Sequence, residues 1–162
     1  MPKADPDLAV TPSVLDRLID LDPNASSDPP ASRSQSVRQL KASLRRDLEW
    51  LLNTRRNPDE VPETYQELFR SLYNFGLPDI TSMGLNSPRD RQRLLRMVQQ
   101  TIEIFEPRLL SVRVRALDDA GSGPRILHFQ IEVLLKMDPA PEQILFDTVL
   151  QLNSGEYKVK DN

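Results

Sequence analysis

Cysteine is absent from the 162 residues, which excludes disulfides, thiolate metal centres and a cysteine nucleophile. Histidine occurs once, at His128. A catalytic triad or a histidine metal site would have to be built around that single imidazole, on the more polar face of its segment. Glycine is scarce: Gly76, Gly84, Gly121, Gly123 and Gly155 all fall where turns are expected, so no glycine-rich loop is available to cradle a phosphate. No apolar run reaches membrane-spanning length, and Met1-Pro2-Lys3-Ala4-Asp5 lacks the apolar stretch of a signal peptide. The expectation is a cytoplasmic protein with no direct membrane insertion, no metal and no cofactor.

What is present describes one domain of ordinary size with a polar surplus: 38% hydrophobic residues and a mean hydropathy of −0.48. The net charge of −3 is unevenly spread. Asp5, Asp7, Asp16, Asp20, Asp22 and Asp28 face only Lys3 and Arg17 in residues 1–32, whereas Arg33, Arg38, Lys41, Arg45, Arg46, Arg55 and Arg56 follow at once. An acidic arm precedes a basic helix. The chain as a whole is acidic and carries no nucleic-acid motif, so the basic stripe is expected to face solvent or protein rather than nucleic acid.

Proline marks the same division, with six of the fourteen in residues 1–32. Residues 1–35 therefore read as an acidic, Pro/Ser-rich arm with a linker at Asp22 to Ser32. Within the arm, Val14, Leu15, Leu18, Ile19 and Leu21 give residues 13–21 an apolar face behind a Pro12-Ser13 start. A helix this short is unstable alone in water, so it docks either on its own domain or on a partner. Residues 36–162 form a single domain.

That domain is predicted to open at Ser36, where Ser36-Val37-Arg38-Gln39 has capping-box spacing. Val37, Leu40, Leu44, Leu48 and Leu51 then recur at helical intervals to about Asn53. Trp50 and Leu52 lie off that stripe, and Trp50 is expected in the core. A short helix is expected between Pro62 and Leu72, stopped by Gly76 and Pro78. Ser87-Pro88 starts a second long helix with Leu94, Val98, Ile102 and Phe105 on one face and Arg89, Arg93 and Arg96 on another. After Pro107 the period changes to two: Leu110, Val112, Val114 and Ala116, then Leu127, Phe129, Ile131, Val133 and Leu135, then Ile144, Phe146 and Thr148, then a last strand at Tyr157 to Lys160. The Asp118 to Pro124 loop reverses the chain between the first two. The fold class is α+β, with N-terminal helices packed on one face of a four-stranded, mainly antiparallel sheet.

Where the helical pattern ends, Phe105-Glu106-Pro107-Arg108-Leu109 sets an acid and a base on either side of a rigid ring. Proline ends the helix near Phe105 and pushes Glu106 out of the α region. The residues alone allow two readings, a helix stop with solvated charges or a fixed docking corner. They argue against a two-carboxylate hydrolase, because a general acid needs a raised pKa and Arg108 favours the ionised form of Glu106. No catalytic residue is assigned.

Three runs, Asp47-Leu48-Glu49-Trp50-Leu51-Leu52-Asn53-Thr54-Arg55-Arg56, Tyr73-Asn74-Phe75-Gly76-Leu77-Pro78-Asp79 and Phe105-Glu106-Pro107-Arg108-Leu109, resemble in order and separation the TssE family. These are the small baseplate subunits of bacterial type VI secretion, similar to a wedge protein of contractile phage tails often labelled "lysozyme-like". The resemblance covers roughly residues 13–160, and Val14 to Asp20 is similar to the family's leading segment. It implies a non-enzymatic role at the cytoplasmic, inner-membrane-associated baseplate with the wedge subunits TssF, TssG and TssK. It also implies a platform on which the contractile sheath of TssB and TssC begins to polymerise. By the same resemblance Glu106, Pro107 and Arg108 are the partner-binding signature. An anti-adaptor group shares the fold and offers an alternative function, sequestration of another protein; a peptidoglycan hydrolase is the third reading.

Overall fold

The computed structural model describes residues 10, 12–19, 24, 32–59, 61–62, 64–80, 87–117, 126–138, 140–151 and 154–161. Most of the expected linker and the expected 118–124 loop lie outside the described residues. Helix α1 spans Val14–Leu18 and α2 spans Arg33–Asn53. A short α3, Gln66–Phe69, and a single 3-10 turn, Leu72–Asn74, lead to α4, Pro88–Phe105. Strands β1 (Leu109–Ala116), β2 (Ile126–Leu135), β3 (Glu142–Gln151) and β4 (Glu156–Asp161) follow as one antiparallel meander in the order β1-β2-β3-β4. The architecture is the expected α+β: helices first, then a sheet with α2 against β4 and α4 against β1.

The start of α2 differs from expectation. Its capping box is Ser32 with Gln35, the Gln35 backbone donating to Ser32 Oγ and the Ser32 backbone donating to Gln35 Oε1. Ser36-x-x-Gln39 has the same spacing but lies inside the helix. Ser36 is buried there, and its hydroxyl accepts from the Val10 backbone at 2.9 Å while donating to the Arg33 carbonyl. At the other end, Asn53 closes the helix onto the sheet. Its amide donates to the Tyr157 carbonyl and its carbonyl oxygen accepts from the Tyr157 N–H, both at 2.9 Å.

The core lies between the helices and the inner sheet face. Leu44, Leu48, Leu52, Leu94, Val98 and Ile102 meet Phe129, Ile131, Val133, Phe146 and Leu150, all essentially inaccessible to solvent. Each such side chain contributes about 1.5–3 kcal/mol of transfer free energy. Trp50 is not among them. It is 55% exposed, since at about 100° per residue it points well away from the Leu44–Leu48–Leu51 stripe, and the Arg46 guanidinium covers its ring at 5.1 Å. Strand β1 also departs from simple alternation. Pairing jumps from Leu109↔Leu135 to Ser111↔Leu134, so Leu110 bulges outward and is exposed, while Leu109 packs toward the core.

Candidate functional site

Helix α4 ends where proline chemistry requires. Phe105 is its last residue, and Glu106 takes φ −117° and ψ 81°, with its N–H still bonded to the Ile102 carbonyl at 2.9 Å. The turn closes when the Leu109 N–H reaches the Glu106 carbonyl at 3.2 Å. The Arg108 carbonyl, at 2.9 Å from the Lys136 N–H, ties the corner to the end of β2. Pro107 stands exposed at the tip. Behind it, Phe105 meets the edge of Phe75 at 5.3 Å, which joins the corner to the Tyr73 to Asp79 run.

The two charges of the corner face each other. Arg108 Nε donates to Glu106 Oε1 at 2.6 Å and Nη2 to Oε2, a fork-to-fork pair, with Glu106 only 7% exposed. The same Nη2 reaches Asp47 Oδ2 on α2 at 2.7 Å. Asp47 Oδ1 accepts from Arg46 Nε and Nη2, at 3.0 and 2.8 Å, and Arg46 Nη2 continues to Asp16 Oδ1 on α1 at 2.8 Å. Charges alternate along the whole line, Glu106, Arg108, Asp47, Arg46, Asp16. The α4–β1 corner, α2 and α1 are thus joined by one ionic network.

The network's electrostatics follow from this geometry. The hydrogen bonds that Arg108 donates to Glu106 lead in holding its guanidinium above the usual value, against the effect of burial, with Asp47 adding to it. Burial alone would raise Asp16; bonds from Ser13, at 2.6 Å, and from Arg46 outweigh it and hold the carboxyl below the ordinary aspartate value. Arg108 Nη1 is buried and has no hydrogen-bond partner among the described residues. The guanidinium therefore has donor capacity beyond its internal bonds.

Glu106, Pro107 and Arg108 are thus brought together, with the acid buried, the ring exposed and the base between them. Asp47, Arg46 and Asp16 complete the arrangement, and sequence reasoning did not single them out as site residues. Helical periodicity places Asp47 only beside an apolar stripe; its pairing with a residue 61 positions away leaves no periodic trace. Helix α1 resolves its own alternatives in an unexpected way. Its polar side is pinned through Asp16 while Val14, Leu15, Leu18 and Ile19 remain exposed. His128 lies half-buried on the outer sheet face. A shallow depression of about 200 Å³ on that face is lined by Ser111, Arg113, Glu132 and Gln143, and Glu132 is engaged by Gln143 and Arg115.

Fold and site together define an α+β domain whose central charges fix elements to one another and some of whose large apolar side chains stand partly outside, among them Tyr65, Leu68, Phe69, Leu72 and Tyr73 and, in α1, Val14, Leu15 and Leu18. The chain belongs to the family of the baseplate wedge protein gp25, whose sequence pattern matches residues 38–140, well over half of its length and inclusive of the whole corner. The match bears out the resemblance to TssE-type baseplate subunits. Comparison with curated proteins found no match, and comparison with solved structures found none. The family is a structural one, and among the described residues no helix is long and apolar enough to cross a membrane.

Proposed function

We propose that this chain is a non-catalytic structural subunit of a type VI secretion baseplate, residing on the cytoplasmic side at the inner-membrane-associated assembly. There it binds the wedge subunits TssF, TssG and TssK and gives the TssB–TssC sheath its starting platform. The observation that carries the reading is the family match over residues 38–140, which encloses the Glu-Pro-Arg corner. The corner's chemistry agrees with it. Both oxygens of Glu106 are occupied by the Arg108 guanidinium inside the corner, which spends the acid on positioning its neighbour.

In this reading the corner docks through the exposed Pro107 ring and the accessible part of the Arg108 side chain, with Glu106 holding Arg108 in place. The platform is the sheet edge, to which a sheath strand adds its backbone. Of the two edges β4 is the more guarded. Asn53 occupies the outward N–H and C=O of Tyr157, and Lys158 and Lys160 stand exposed along the strand. β1 keeps its outward groups free of partners among the described residues from Val112 to Ala116. The experiment is co-expression of the full chain with TssF, TssG and TssK, followed by affinity purification and sizing. A stable complex supports the reading, and separate elution of this chain at micromolar concentration rejects it. A map of the sheath-bound complex with sheath subunits held only through the helices would eliminate strand addition.

A further inference from the structure

Helix α4 carries its charge against its own interest. Arg89, Arg93 and Arg96 recur at intervals of four and three and lie within about 60° of one another on the helix surface at ~100° per residue. That stripe points away from the buried face of Leu94, Leu95, Val98 and Ile102, and all three arginines are exposed. None forms an ion pair among the described residues. The peptide dipoles already place positive potential at the start of a helix, where cations are unfavourable, and like charges four apart repel. The only acid in the first turn is Asp90, whereas Glu103, the acid nearest the end, sits where the dipole disfavours it.

We propose that the Arg89–Arg93–Arg96 face of α4 is an interaction surface for an acidic segment of another baseplate subunit, one presenting carboxylates at one-turn spacing. The inference rests on the assembly role proposed above. Charge complementarity carries it: arginine rather than lysine at each position offers a planar fork to a carboxylate, and the stripe runs about 10 Å, two turns of a partner helix. A polyphosphate or lipid surface fits less well. The rest of the outward face is Gln92, Gln100, Glu103 and the half-buried Ile104, with no aromatic ring to stack on bases and one half-buried aliphatic side chain to offer a bilayer. The chain's net charge of −3 opposes both.

The test is the triple reversal Arg89→Glu/Arg93→Glu/Arg96→Glu in the full chain, read by thermal melting and by affinity for the co-purified TssF–TssG–TssK complex. The expected result is opposite signs: an equal or higher Tm, because the dipole conflict is removed, and wedge binding weakened about tenfold or more at low salt, with the salt dependence of the wild type largely lost. Unchanged binding, or a fall in Tm alongside a fall in binding, overturns the proposal. If the wild-type chain itself fails to bind the wedge, the assembly reading fails, and a second arm then decides the surface alone. A helical peptide with Glu at i, i+4 and i+7 must bind the wild type and not the reversed chain, and its Gln counterpart must bind neither. Tighter binding to duplex DNA or to phosphatidylserine vesicles than to the Glu peptide at equal salt also overturns it.

Discussion

Arg108→Ala removes the cation from a carboxylate that is only 7% exposed and has both oxygens bound to it. Breaking a buried pair from one side costs about 3–5 kcal/mol, most of it the penalty of a buried charge left alone. The Arg108 side chain is 24% exposed, so water reaches its vacated position and the lower end, about 3 kcal/mol, applies. Against a typical domain stability of about 5–15 kcal/mol the variant folds, with a Tm lower by about 10 °C. Urea unfolding at pH 7 measures it, with an unchanged m-value as the sign that the same surface still unfolds. The companion variant, Glu106→Leu/Arg108→Leu, removes both charges and leaves neither orphaned, so it should lose less than Arg108→Ala alone. A loss below about 0.5 kcal/mol for Arg108→Ala, the range of an ordinary surface substitution, would refute the network as a structural element. So would a double variant whose loss equals the sum of the losses of Glu106→Leu and Arg108→Leu made singly.

Gly76 has φ +101°, and an added Cβ would lie 2.2 Å from the Thr54 carbonyl oxygen, so Gly76→Ala should cost about 3 kcal/mol or more and lower the urea midpoint accordingly. Asn53→Ala removes two hydrogen bonds that close α2 onto β4; a loss of about 1–2 kcal/mol is expected, with amide exchange at Tyr157 accelerated more than at Phe129. Asp16 titrates below its ordinary value of 3.8 when folded, so its contribution is complete above that value and disappears as pH falls through the lower folded one. Carbon-detected NMR should find its midpoint lower than in a peptide of residues 10–20, and equal midpoints would show that Arg46 does not hold α1.

The element order and most of the core were legible because periodicity and proline are local signals. The strict alternation in β2 and β3 placed Phe129, Ile131 and Phe146 inside, where they are, and Pro107 put the end of α4 near Phe105, its last residue. The errors came where two local solutions were equivalent or where tertiary contacts decide. Ser32-x-x-Gln35 and Ser36-x-x-Gln39 satisfy the same capping spacing, and only the Val10 backbone lying on Ser36 distinguishes them. The bulge that turns Leu110 outward depends on pairing with β2 and leaves no mark on the alternation of β1 itself. At the site, the local acid-ring-base motif was visible. Its extension through Asp47, Arg46 and Asp16 spans three separate helical and corner segments, joined by ion pairs that no single segment encodes.

The role proposed for this chain, starting a sheath rather than catalysing a reaction, can be reconstituted. TssB and TssC can be mixed with a TssF–TssG–TssK assembly prepared with and without the chain, and sheath formation followed by electron microscopy and light scattering. Sheaths are expected to grow from assemblies that contain the chain, with a shortened lag, and not to start from assemblies that lack it. Sheaths that start at the same rate, number and length without the chain would contradict that role.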